Sequence, residues 1–124
     1  MKGPASPRED ELLRLLGPAG FLRLVEARGG TRLYVPSTGD RTALSQELGQ
    51  DVVDRLVESH RRNYIIVPLA REFRARHYRA AGQSNSEIAL RLCVTEKAVE
   101  KMFGRMAAPP VKGSGDPRQL RLFG

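Results

Sequence analysis

Apolar positions along this chain recur at helical spacing in short runs that Gly and Pro interrupt. Ser6-Pro7-Arg8-Glu9 reads as a capping box, with Pro at the first helical position and Glu at the third. The helix it opens carries Leu12, Leu13, Leu15 and Leu16 and stops at Gly17-Pro18. A second helix holds Phe21, Leu22, Leu24 and Val25 and ends at Gly29-Gly30, a common helix stop. Thr31 to Val35 follows as a short strand closed by Pro36, and Ser37-Thr38-Gly39-Asp40 is a turn-rich loop.

The pattern then recurs. Leu24-Val25-Glu26 through Tyr34-Val35-Pro36 aligns with Leu56-Val57-Glu58 through Ile66-Val67-Pro68, at an offset of 32 residues. Each copy reads as helix, connector, strand and proline, and two copies are too few for a solenoid. Strands this short need a partner, so they are expected to pair with each other or to associate across a dimer. Leu12, Leu13, Leu15, Leu16, Phe21, Leu22 and Leu24 exceed what a unit of about 60 residues is expected to hide. That surplus predicts a homodimer formed through the N-terminal half.

After Pro68 the pattern predicts a helix over 69–81, ended by Gly82. Phe73 and Tyr78 are expected to anchor it, with Arg71, Arg74, Arg76 and Arg79 facing outward. From Ser84 to Arg105 the spacing is that of a helix-turn-helix. Ile88, Ala89, Leu92, Val94, Val99 and Met102 are its apolar or small positions, and Ala89 lets two helices approach closely. Ser84 or Asn85 can cap the first helix and Thr95 the second. Cys93 holds the turn position that often carries Gly. Glu96, Lys97, Glu100, Lys101 and Arg105 remain for the exposed side of the second helix, where they can reach base edges and phosphates in a major groove. A plain helical hairpin within a larger core is the competing interpretation. The expected fold is mainly α: a helical dimerisation unit with short β-strands over 6–68, then a helix-turn-helix over 69–106. Residues 1–5 read as disordered, and 107–124 as a flexible tail rich in Pro, Gly and Ser at its start.

The net charge of +7 is uneven. Residues 1–60 carry eight Lys or Arg against nine Asp or Glu, whereas 61–105 carry ten against four. The excess lies with the helix-turn-helix, where it attracts phosphate and points to double-stranded DNA as the partner. A single cysteine excludes an internal disulfide and a thiolate metal cluster. His60 and His77 are isolated, and Gly29-Gly30 lacks the further residues of a phosphate-binding loop. No enzyme, cofactor or metal is therefore expected. No apolar run approaches a membrane span and the N-terminus has no signal-peptide core, so a cytoplasmic protein without a membrane partner is expected.

Taken together, the doubled strand-Pro motif and the C-terminal helix-turn-helix resemble the Mor transcription activator family of Mu-like phages and prophages. The matching pieces are Gly29-Gly30-Thr31-Arg32-Leu33-Tyr34-Val35-Pro36, Ile65-Ile66-Val67-Pro68, and Ile88-Ala89-Leu90-Arg91-Leu92 leading into Thr95-Glu96-Lys97-Ala98-Val99. The resemblance covers roughly residues 18–106. It implies dimers formed through the N-terminal domain, binding to imperfect inverted repeats upstream of phage promoters, and recruitment of host RNA polymerase. It also implies that the second strand lies near the minor groove, which would bring Tyr64 and Ile66 close to the duplex. The expected major-groove contacts are Thr95, Glu96, Lys97, Glu100 and Lys101, with Arg91 and Arg105 on phosphate. One departure is Arg61-Arg62, where the family tends to have the Gly-Gly that this chain shows at 29–30. Two arginines there either hold backbone phosphates, Arg62 foremost, or are merely solvated.

The chain ends Gln119-Leu120-Arg121-Leu122-Phe123-Gly124. QLRLF looks like the peptide by which proteins bind the bacterial sliding clamp. Leu122 and Phe123 would fill an apolar pocket, Gln119 would hydrogen-bond beside it, and Leu120 belongs to the same motif. The alternative function is thus a replication-associated adaptor that holds DNA non-specifically and binds the clamp by its tail. An apolar tail folded back on its own domain would explain the same residues.

Overall fold

The computed structural model describes residues 7–39, 43–106 and 112. The expected disordered start and the QLRLF tail lie outside them. The described residues are mainly helical, with one small antiparallel sheet. In chain order they form α1 (Glu9–Arg28), β1 (Arg32–Tyr34), α2 (Ala43–Leu48), α3 (Gln50–His60), β2 (Tyr64–Ile66), α4 (Arg71–Ala80), α5 (Asn85–Leu92) and α6 (Glu96–Arg105). They divide into two compact units, 1–70 and 71–124. Among the described residues no helix is long and apolar enough to cross a membrane.

The first unit begins later than the capping box predicted. Arg8 is the N-cap of α1, and its backbone N–H donates to the Glu11 carboxylate at 3.4 Å. The carboxylate that reaches back thus comes from Glu11 rather than Glu9, three residues after an N-cap that is Arg8 rather than Ser6. The expected stop at Gly17-Pro18 is present as a break within α1: Gly17 has φ +77° and ψ 165°, a conformation glycine adopts without a Cβ penalty. Pro18 then starts the next turns, where its missing N–H costs nothing.

The 32-residue repeat is a structural repeat and extends further back than the sequence comparison reached. Gly49, one offset after Gly17, also has positive φ (+94°, ψ 145°) and starts α3. Leu16 and Leu48, immediately before them, are both buried. Each half is therefore helix, left-handed glycine, helix, tight turn, strand and proline.

The two strands pair with each other within the chain. Their register sets Arg32 opposite Ile66, Leu33 opposite Ile65 and Tyr34 opposite Tyr64. Leu33 and Ile65 are equivalent positions of the repeat, so a local two-fold axis passes between them. The flanking hydrogen bonds obey it. The Val35 N–H donates to the Asn63 carbonyl and the Val67 N–H to the Thr31 carbonyl, at 2.9 and 2.8 Å. Leu33, Val35, Ile65 and Val67 face inward, where they meet a core that includes Phe21, Leu24, Val25, Val53, Leu56 and Val57. α1, α2 and α3 pack on one another around it.

This packing corrects the premise of the dimer expectation. Leu12, Leu16, Phe21 and Leu24 are buried in the single chain, and Leu13, Leu15 and Leu22 are half-buried. The duplicated half supplies the surface that hides them.

Candidate nucleic-acid interface

The second unit has its own core of Ala75, Tyr78, Ile88, Ala89, Leu92, Val99, Met102 and Met106, with Val94 and Phe103 packed against it. Tyr78 anchors α4 as expected. Phe73 is only half-buried and stands outside this core, while Ala75 takes the inward position. The arginines of α4 do not all simply face outward. The Arg74 guanidinium donates to the Tyr78 hydroxyl at 3.3 Å and to the Arg91 carbonyl at 3.2 Å. Arg79 lies 4.8 Å from the centre of the Phe103 ring. Cation and ring attract through the ring quadrupole, and the aliphatic stems cover apolar surface, so these side chains help build the unit.

The helix-turn-helix is specified by local hydrogen bonds. At the start of α5 the Glu87 N–H donates to Ser84 Oγ at 3.2 Å, and the Ser84 N–H donates to the Glu87 carboxylate at 2.8 Å. That reciprocal pair is a capping box. The Ser84 backbone N–H, then its side chain, hold the Glu87 carboxyl below the usual carboxylate range, helped by the charges of Lys112 and Arg91. At the other end Cys93 takes a left-handed conformation (φ 58°, ψ 44°), and the Val94 N–H donates back to the Ala89 carbonyl at 3.0 Å. This closes the helix as a glycine would. Thr95 then caps α6, its Oγ1 accepting from the Ala98 N–H at 3.0 Å. The turn is three residues long because a left-handed stop and an N-cap follow each other directly.

Val99 and Met102 turn one side of α6 into the core. Glu96, Lys97, Glu100, Lys101 and Arg105 are all exposed. Glu96 and Glu100 stand four residues apart, as do Lys97 and Lys101, so two adjoining stripes of opposite charge run along the helix. Among the described residues none of these four is held in an ion pair or a side-chain hydrogen bond. The remaining expected contacts are more committed. One oxygen lone pair of Thr95 serves the cap, leaving its hydroxyl proton. Arg105 Nη2 lies 3.8 Å from Glu72 Oε2, both side chains being largely exposed. Arg91 is exposed, with its guanidinium 5.0 Å from the centre of the Tyr78 ring.

The first unit carries the other expected contacts. Tyr64 (54 % exposed) and Ile66 (53 %) lie on the outer face of the two-stranded ribbon. That face also holds Arg32 and Tyr34, which the sequence reading had not selected. Tyr34 and Tyr64 rings are 5.0 Å apart, and the Arg32 guanidinium lies 3.9 Å over Tyr64. Tyr34 is the repeat equivalent of Ile66 and Arg32 of Tyr64, so the repeat itself could have pointed to both. Arg62 is exposed at the turn that precedes β2. Gln119, Leu120, Leu122 and Phe123 lie outside the described residues.

No family model, curated protein or solved structure matches the chain.

Proposed function

We propose that this chain is a sequence-specific DNA-binding transcription activator of the Mor type. It acts as a homodimer on phage or prophage promoters, lays α6 in the major groove and recruits host RNA polymerase. The observation that carries the DNA reading is the capped α5–turn–α6 motif with an exposed α6 stripe that has no ion pair or side-chain hydrogen bond among the described residues. A charged side chain without an internal partner keeps its hydrogen-bonding capacity for a base edge. Lys97 and Lys101 donate to guanine O6 and N7, and Glu96 and Glu100 accept from cytosine N4. The Thr95 hydroxyl lies at the N-terminal end of α6, where recognition helices approach bases. Arg91 and Arg105 meet phosphates and set the register of the helix. Dimerisation and polymerase recruitment rest on the family resemblance.

The test is a titration of labelled duplex with wild type and Lys97→Ala. A base contact by Lys97 predicts a loss of about 1–3 kcal/mol on the preferred sequence and much less on an arbitrary one. Equal losses on both duplexes would reduce Lys97 to a phosphate contact and remove the basis for sequence reading at that position.

A further inference from the structure

The two halves of the first unit build one turn twice, from different residues. In the first copy the turn is Gly29-Gly30, and in the second it is Arg61-Arg62. Gly29 has φ −53° and ψ 132°, and Arg61 has φ −52° and ψ 140°. Gly30 has φ +80° and Arg62 φ +64°. The hydrogen bonds correspond as well. The Gly30 N–H donates to the Val67 carbonyl at 2.8 Å, and the Arg62 N–H to the Val35 carbonyl at 2.8 Å. The backbone therefore makes the same turn whether or not a side chain is present.

That equivalence isolates what the Arg62 side chain contributes to folding. A left-handed φ disfavours any residue with a Cβ, and Arg has no short polar group to compensate locally. The Arg62 side chain returns nothing to the fold: it is exposed, and among the described residues it makes no ion pair and no side-chain hydrogen bond. Arg61 differs, because its Nε donates to the Val57 carbonyl at 3.3 Å and so caps the end of α3. Strain retained without a structural return is the mark of a functional position.

The cations at the two ends of the ribbon are held differently. At its Gly30 end Arg28 is held by Glu47 at 2.8 to 3.2 Å, and the Arg32 guanidinium lies over the Tyr64 ring. At its Arg62 end the Arg62 guanidinium has no ion pair or side-chain hydrogen bond among the described residues. We infer that Arg62 is an oxyanion-binding side chain that grips a backbone phosphate of DNA. A guanidinium suits this task because its donors form a planar fork that matches a phosphate. This inference rests on the DNA-binding reading above.

The experiment uses the full chain, wild type and Arg62→Gly, with a short duplex of arbitrary sequence over a range of salt. Gly keeps the turn and removes both the charge and the strain. The expected result is a higher urea midpoint together with weaker binding. The slope of log affinity against log salt should fall in magnitude by about 0.9, one phosphate's worth of released counterions. Arg62→Lys should restore most of that slope but not the stability. A lowered urea midpoint in Arg62→Gly would make Arg62 structural and overturn the inference. Binding with an unchanged slope would overturn it as well while leaving the DNA reading intact. A wild-type chain that binds no duplex would overturn both.

Discussion

At the residue scale, the positions that govern this fold are those where the chain departs from ordinary backbone geometry. Gly17 and Gly49 turn the chain into its second and fourth helical segments, and Cys93 makes the turn between α5 and α6. Cys93 is exposed, so its thiol gains no core packing to offset a left-handed φ of 58°. Cys93→Gly should therefore raise the stability of the second unit by up to about 1 kcal/mol, relief of the steric cost outweighing the added freedom of the unfolded chain. Urea unfolding monitored by circular dichroism measures this directly. A loss of stability would mean that the Cys93 side chain packs to advantage in the folded unit. Cys93 could be placed from sequence because its neighbours, Leu92 and Val94, bracket a turn. The matching strain at Arg62 was hidden, since Arg-Arg carries no turn signal and only its equivalence to Gly29-Gly30 exposes it.

Elements here are set by their ends more than by intrinsic propensity. α5 has eight residues and α6 ten, too short to persist alone in water, so caps and a shared core hold them. Ser84→Ala should cost about 1 kcal/mol, because it leaves a first-turn N–H of α5 without its acceptor. The same cap has a pH signature. The folded Glu87 carboxyl titrates below its unfolded value, so its contribution is present above the unfolded value and is lost as pH falls through the folded one. Glu87→Gln should accordingly flatten part of the acid-side fall in stability in a pH series of urea unfolding curves, and an unchanged acid limb would contradict the cap. The caps at Ser84 and Thr95 were legible because side-chain type and apolar spacing agree there. The start of α1 was not, since Pro7 at a first helical position competes with Arg8 backed by Glu11. The strand pairing was legible only as a choice between two partners. A three-residue strand carries too little side-chain pattern to say whether its mate is in the same chain.

At the scale of the whole molecule, duplication explains the N-terminal unit. Two similar halves meet about an axis at Leu33 and Ile65, and each supplies the apolar surface the other must cover. The sequence showed the repeat from Leu24 onward, but residues 18–22 and 50–54 differ so much that its earlier part became visible only in the matching conformations of Gly17 and Gly49. Apolar content alone therefore overstated the need for a second chain. The C-terminal unit was more readable, because a helix-turn-helix compresses its spacing, caps and turn into about twenty residues. What sequence could not supply was the state of its charges. Arg74 and Arg79 are committed to Tyr78 and Phe103, while Lys97 and Lys101 have no ion pair or side-chain hydrogen bond among the described residues.

The measurement that tests the central claim most directly is selection of preferred sites from a pool of random duplexes by the purified full chain, followed by sequencing. The account predicts an enriched motif with two-fold symmetry, its half-sites centred about one helical turn apart or a multiple of it, as expected for a dimer that presents α6 to successive major grooves. Binding without any enriched motif would contradict it and leave the α6 stripe as a non-specific grip on the backbone.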